Sequence, residues 1–305
     1  MRFLLSKSAA ALMAALFFAT SLSTAQSVRP DFNRPQNYDV LHYVLRVSFD
    51  PGKRIVNGET TIRFRPLVDN LDRVEFDAVD INFASVKLEV GGTAVPFKTG
   101  GGTVMVDLDR KYNRGDEVSL VFKHSAKPKK GVYFVDEKLE NGRVVHPAQI
   151  WTQGEPDEAR HWFPLFDFPS DKATTEQIIT VPKLQTVIGN GELVSVTDNS
   201  DGSSTFHYKM DIPFSAYLIS LVVGDYARVE DRYGEVPLSY YVYRGREAIV
   251  PLAYGKTKDM MRIFEELTGF KYPYNKYDQT VVANFEFGGM ENITATTMAD
   301  SEIAY

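Results

Sequence analysis

His42-Tyr43-Val44-Leu45-Arg46-Val47-Ser48-Phe49, followed by Asp50-Pro51-Gly52, decides the fold class of this chain. Tyr43, Leu45, Val47 and Phe49 alternate with His42, Val44, Arg46 and Ser48. A strand sends successive side chains to opposite faces and a helix does not, so this period predicts a half-buried β-strand. Asp50-Pro51-Gly52 then supplies residues suited to a turn. Beyond it, Thr60, Ile62 and Phe64 alternate with Glu59, Thr61, Arg63 and Arg65, and Pro66 ends the run. Two such runs separated by turn residues predict antiparallel neighbours.

The same texture fills most of the chain. Short strands are expected at 73–76, 85–90, 104–108 and 118–122, and again at 176–181, 186–188, 193–196 and 205–210. Gly91-Gly92 and Gly100-Gly101-Gly102 bracket a hairpin; with no Lys-Ser/Thr after them, they do not form a phosphate loop. Residues 217–226 are a near-continuous apolar run, read as one strand, and 237–243 as another. The strong helical signal follows. Tyr254, Thr257, Met261, Phe264 and Thr268, with Met260 and Leu267 beside them, recur at intervals of three and four. Pro251 near the start and Gly269 after the end mark a helix of about seventeen residues. Residues 277–285 then read as a strand running into Gly288.

Composition narrows the function classes. The hydrophobic fraction of 44% and charged fraction of 24% are those of a globular protein, not a disordered one. Net charge is −6, so nucleic acid is not an expected partner, since phosphate binding needs a basic face. The one basic cluster, 123–130, contains Pro128 and reads as a solvated turn. At the front, Arg2 and Lys7 precede an apolar run, 9–22, and Ser23-Thr24-Ala25 offers a small-residue cleavage site. This reads as a signal peptide, residues 1–25, and as export to a periplasm or medium; an uncleaved anchor is the alternative. No later segment has membrane-spanning length. Cysteine is absent, so neither a disulfide framework nor a thiolate nucleophile is available.

Near the end stands Phe287-Gly288-Gly289-Met290-Glu291-Asn292. It resembles the exopeptidase motif of the M1 zinc aminopeptidases, which lies on the edge strand of the active-site cleft in that family. Glycines there have a physical use, because a missing Cβ lets a peptide approach the host backbone as an added strand. Glu291 supplies a carboxylate, and a carboxylate accepting from a charged α-amino group forms a charge-assisted pair. A second segment supports the first: Gln153-Gly154-Glu155, then Asp157-Glu158-Ala159-Arg160-His161-Trp162-Phe163-Pro164. It is similar to the family's Q-x-E segment and the A-R-x-x-F-P run after it. By that resemblance Gln153 lines the first specificity pocket and Glu155 helps Glu291 hold the substrate amine, with Gly288, Gly289, Met290 and Asn292 completing the substrate-binding set. The chain departs from the family at Leu165-Phe166-Asp167-Phe168-Pro169, where Cys-Phe-Asp-Glu-Pro is usual, which puts the packing of that loop in doubt.

The resemblance implies a mostly β fold. An N-terminal antiparallel β-sandwich or saddle domain, 26–229, is followed by the incomplete start, 230–305, of a thermolysin-like α+β catalytic domain. The implied parent is a secreted zinc metallo-aminopeptidase acting on peptides with a free N-terminus. Its zinc motif, H-E-x-x-H, is not in this sequence, and none of the five histidines (His42, His124, His146, His161 and His207) has the i, i+4 spacing that would place two on one helix face. The expectation is therefore that this chain binds no zinc and carries no catalytic residue. The alternative is a non-catalytic relative that keeps the β-rich part as a peptide-binding or scaffolding module.

Overall fold

The alternation around Leu45 becomes the middle of a seven-stranded sheet. Strand Tyr38–Asp50 pairs antiparallel with Ile55–Pro66, with Tyr43 opposite Ile62 and Leu45 opposite Thr60. Tyr43, Leu45 and Val47 are buried, as are Thr60, Ile62 and Phe64 across from them, while Arg46 is exposed. Each fully buried side chain of this size contributes about 1.5–3 kcal/mol. On its other side Tyr38–Asp50 runs parallel to Lys172–Pro182. More than a hundred residues separate those two strands, so the long crossover that a parallel pair requires is present. The structure, a computed structural model, describes residues 35–303; the expected leader, residues 1–25, lies outside them.

Four smaller sheets of two, three, four and five strands complete the β structure. Several antiparallel sheets with little helix match the fold class expected from the sequence. Two sheets position the residues of interest. In the four-stranded one, Gln149–Thr152 lies between Val132–Val135 and Leu221–Gly224. The five-stranded one has the spatial order Tyr226–Tyr233, Val236–Tyr243, Tyr277–Val282, Ala295–Ala299, Gly289–Met290. Val236–Tyr243 and Tyr277–Val282 are parallel, and the helical segment between them supplies the crossover. From Asn37 onward the described residues form one compact unit. Its main core joins early residues such as Leu45 and Phe122 to late ones, including Val282, Phe285, Met290 and Ala299. A second, smaller core gathers Leu238, Tyr240, Val242, Val250, Tyr254, Met261 and Val281.

Four local expectations are corrected. Residues 217–226 are not one strand: a 3-10 turn, Ala216–Leu218, leads into Leu221–Gly224, and a new strand begins at Tyr226. The two strands belong to different sheets, and the chain passes from one to the other at the exposed Asp225. The expected long helix is two, Val250–Tyr254 and Thr257–Thr268, interrupted at Gly255-Lys256, where glycine's poor helix propensity favours a break. Gly269 ends the second helix in the left-handed conformation at φ 74°, its N–H bonded to the Glu265 carbonyl. The strand read as 277–285 stops at Val282, because Trp151 Nε1 and Gln149 Oε1 take the backbone groups of Ala283 and Asn284 has φ 62°. Gly101-Gly102 form the turn of the hairpin Phe97–Gly100 and Thr103–Tyr112 rather than its outer flank.

The apolar face of the second helix is mostly outward. Thr257 and Met261 are buried, whereas Met260, Phe264 and Leu267 are exposed. Met260 and Phe264, with Phe270 and Tyr272, line a groove of about 420 Å³.

His124 makes the fold's stability depend on pH. It is buried in strand Val118–Ala126 with Nε2 against Thr60 Oγ1 at 2.9 Å, and burial pulls its pKa down to about 4. In the unfolded chain a histidine titrates near 6.5. Between those values the unfolded state holds more protons, so stability falls as pH falls from 6.5 toward 4, by up to about 3 kcal/mol. Asp167, pushed up to about 6 by burial, acts in the opposite sense. Comparison with His124→Gln isolates the histidine. Urea denaturation at pH 7 and pH 4.5 is expected to show about 2 kcal/mol more acid loss for the parent than for the variant.

Candidate functional site

Gln153 follows directly on strand Gln149–Thr152, all four residues of which are buried. The strand is held on both edges, and Thr152 Oγ1 accepts from Leu221 N at 3.0 Å. Gln153 N donates to Gly131 O at 3.1 Å, so the residue stays in place after the strand ends. Its side chain is buried and Nε2 lies 3.3 Å from Met290 Sδ, a contact between residues 137 apart in sequence. Gln153 Oε1 is buried without a hydrogen-bond partner among the described residues.

Gly154 is glycine for a steric reason. A Cβ there would stand 2.2 Å from Tyr217 O and 3.0 Å from Tyr217 Cα. The chain leaving Gln149–Thr152 thus lies directly against the chain entering Leu221–Gly224. Glu155 follows, exposed, and precedes Pro156 through a cis peptide bond. Next comes the loop whose packing the sequence left in doubt. Leu165, Phe166 and Asp167 are buried. Arg160 Nε bonds Asp167 Oδ2 at 2.9 Å, Asp167 N donates to Asp77 Oδ2 at 2.8 Å, and Phe166 N donates to the Tyr43 hydroxyl. Apolar Leu165 and Phe168 therefore suit this loop without the cysteine and glutamate of the family pattern.

The second segment lies on the free edge of the five-stranded sheet. Gly289–Met290 pairs antiparallel with Ala295–Ala299 on one side and has no strand on the other among the described residues. A Cβ at Gly288 would meet nothing nearer than 3.9 Å, so the fold itself does not require glycine there. What the missing side chain leaves open is the approach to the free edge. Met290 is buried, Glu291 is exposed, and Asn292 is buried with Nδ2 donating to Thr297 Oγ1 at 3.1 Å.

One buried amide ties the two segments together. Asn190 is fully buried, and its Nδ2 donates to Ile293 O at 2.7 Å and to Leu218 O at 3.1 Å. Its Oδ1 accepts from Ser220 N at 2.7 Å and from Gln177 Nε2 at 3.1 Å. Gly191 N donates to Thr294 Oγ1 at 2.7 Å. The corner at 217–220 and the segment at 291–294 are therefore held by the same side chain. Tyr217 sits at that corner. Burial, then the Glu291 carboxylate, then that of Glu155, raise its phenol pKa, so both carboxylates act on one hydroxyl.

The structure thus brings Gln153 onto Met290, and the carboxylates of Glu291 and Glu155 both raise the Tyr217 phenol pKa. Gly288 and Gly289 lie on the free edge, and Asn292 turns inward to bond Thr297. Tyr217, Asn190 and Gln177 escaped the sequence reading. Tyr217 is hidden in an apolar run, and a buried amide has no periodic signature.

The described histidines do not present three ligands to one point. His42 and His207 both face Glu176, at 3.6 and 2.8 Å, from separate strands. His124 is buried against Thr60, while His146 and His161 lie elsewhere. No group of three or more His, Asp and Glu side chains among the described residues could hold a metal ion.

Removing the amide of Asn190 strands several buried groups at once. Asn190→Ala is expected to lower stability by about 3 kcal/mol in chemical denaturation. The double variant with Gln177→Ala is expected to lose less than the sum of the singles, because the two side chains share one network.

The family model for the Peptidase M1 N-terminal domain matches residues 34–218, and that for the Peptidase family M1 domain matches residues 252–305. Leukotriene A-4 hydrolase of Xenopus laevis is 27% identical over 286 residues, which cover 90% of this chain and 45% of that protein. Aminopeptidase N of Acetobacter pasteurianus is 24% identical over 276 residues, 89% of this chain and 77% of that protein. Transcription initiation factor TFIID subunit 2 of Gallus gallus is 23% identical over 287 residues, 80% of this chain and 24% of that protein. The chain spans less than half the length of the hydrolase and about a quarter of the transcription factor subunit.

Proposed function

The chain belongs to peptidase family M1, and from that premise we propose that it is the substrate-anchoring portion of a metallo-aminopeptidase. In this reading a peptide adds as a strand along the free edge at Gly289–Met290. Its terminal ammonium is held by Glu291 and Glu155, and its first side chain rests on Gln153 and Met290. The observation that carries the reading is the contact of Gln153 Nε2 with Met290 Sδ, which draws two distant motifs to one place. Main-chain hydrogen bonds to the strand edge supply affinity, and the carboxylates select a free amine over a blocked one.

Aminopeptidases of this family are generally zinc-dependent. In this reading the metal and the general base of hydrolysis come from residues other than those described, among which no group of three or more His, Asp and Glu could hold a metal ion. This chain's share is to bind and orient. Export is part of the same proposal: the leader at 1–25 is removed after Ala25, which N-terminal sequencing of the secreted protein tests. Loss of Arg2 and Lys7 leaves a formal charge of about −8, which disfavours nucleic acid as a partner.

A second reading has one observation in its favour. A relative of similar identity is named as a transcription initiation factor subunit, not a peptidase. The same β-rich unit then serves as a binding or scaffolding module without catalysis.

Residues 26–305, purified and supplied with zinc, are expected not to hydrolyse aminoacyl reporter substrates. Chelator-sensitive turnover by this chain would contradict the assignment. Titration with leucinamide and with N-acetyl-leucinamide tests the anchoring directly. The free amine is expected to bind more tightly, and Glu291→Gln to remove much of that preference. Both carboxylates are exposed in this chain, so the effect per carboxylate is modest, roughly two- to fivefold. Equal binding of the two compounds would favour the module.

A further inference from the structure

A cavity of about 290 Å³ is lined from two sheets, by the start of edge strand Glu192–Asp198 of the seven-stranded sheet and by Tyr226–Tyr233 and its neighbours in the five-stranded one. It shares no lining residue with the anchoring site. Ser239, Tyr241 and Asp278 form a buried, polar floor. Strand pairing sets Ser239 opposite Asp278 and Arg228 opposite Tyr241. Residues paired across neighbouring strands share a face of the sheet, so these side chains meet at one place. Lys276 joins them, its Nζ bonding Asp278 Oδ2 at 2.6 Å and Gly189 O at 2.7 Å, so these two largely buried charges offset each other. Arg228 and Glu192 differ from that pair: both are exposed at the cavity, one on each sheet. Arg228 Nε donates to Ser239 Oγ at 3.0 Å and Nη1 lies 3.0 Å from Glu230 Oε1, which leaves Nη2 without an acceptor among the described residues. Glu192 is in no ion pair among the described residues. Lys209, opposite it in the sheet, pairs with Asp211, and Glu192 Oε2 takes a long 3.4 Å bond from Asn275 Nδ2.

We propose that this cavity binds a free α-amino acid, its carboxylate on the Arg228 guanidinium and its ammonium on Glu192. A guanidinium with an open donor and a carboxylate without a cation line one small space, and a zwitterion satisfies both. A simple anion would leave Glu192 unpaired, and a simple cation would leave Arg228 Nη2 open. Both new contacts are charge-assisted hydrogen bonds, the stronger kind. The volume lies at the small end for ligand pockets, which suits one amino acid. Leu193 and Pro237 also line the cavity and offer apolar contact to the ligand's side chain. The proposal stands on this cavity and does not depend on the amine-anchoring reading. It extends that reading, because a free amino acid is what removal of an N-terminal residue releases.

The test is NMR titration of the 15N-labelled chain at about pH 6.5, where α-amino groups are charged. L-leucine carries both charges; leucinamide lacks the carboxylate, and N-acetyl-leucine lacks the ammonium. L-leucine is expected to shift the backbone amides of 192–193, 228 and 276–278. The other two compounds are expected to bind at those amides roughly five- to tenfold more weakly. Arg228→Gln is expected to weaken L-leucine binding by roughly the same factor, and Glu192→Gln by roughly two- to fivefold, since that carboxylate is exposed. Glu192 is exposed and in no ion pair, so Glu192→Gln tests the site even where Arg228→Gln disturbs the strand. An unchanged spectrum away from the cavity shows that a variant is folded. L-leucine and leucinamide binding alike at these amides would overturn the proposal, as would L-leucine affinity unchanged in Glu192→Gln. Shifts from L-leucine confined to 288–292, or none at the cavity, would overturn it too. None of these results decides the anchoring reading, which the comparison of leucinamide with its acetylated form tests separately.

Discussion

The arrangement of the site depends on the buried amide pair of Asn190 and Gln177. Each reaches across a gap that backbone ladders leave open. Gln177, on strand Lys172–Pro182, bonds Asn190 through both ends of its amide and also donates to Ser220 O. Asn190 passes the connection to Leu218, Ser220 and Ile293. Inside a protein such a network is strong when each member is satisfied and costly when one is removed. Without it, the corner bearing Tyr217 and the turn bearing Glu291 would lose a side chain that bonds both, although Gly191 N would still hold Thr294 Oγ1. Packing is tolerant of small shifts, whereas a hydrogen bond of about 2.7–3.1 Å is not.

Much of the fold was legible because strands announce themselves. The alternation at Tyr43, Leu45 and Val47 gave the inward face correctly, and the pairing with Thr60 and Ile62 followed from the turn at Asp50-Pro51-Gly52. Errors arose where local pattern and tertiary context disagree. An apolar run such as 217–226 has the same appearance whether it is one strand or two strands of different sheets joined at an exposed aspartate. The stop at Val282 depends on Gln149 and Trp151, more than a hundred residues away, capping Ala283. The site was legible in its motifs and illegible in its supports. Gln153, Glu155 and the glycine pair could be named from their order in the chain, but nothing in the sequence marks Tyr217 or Asn190 as their neighbours.

The outward face of the second helix bears on what surrounds this unit. Met260, Phe264 and Phe270 expose aliphatic and aromatic surface along a groove, while the opposite side of the same segment packs through Met261 into the smaller core. A helix that buries only part of its apolar stripe has surface left for another element. The family model that matches 252–305 begins in this helical segment. The seven-stranded sheet, by contrast, closes its core from residues within the chain.

The central claim is that a peptide joins the free edge at Gly289–Met290 with its amine toward Glu155 and Glu291. Intermolecular NOEs between a labelled chain and a short free-amine peptide test it most directly. The account predicts contacts from the peptide backbone to Gly288 and Gly289, and from its first side chain to Met290 and Gln153, all lost when the peptide is N-acetylated. Contacts confined to the groove beside Phe264 and Phe270, with none at the sheet edge, would contradict it.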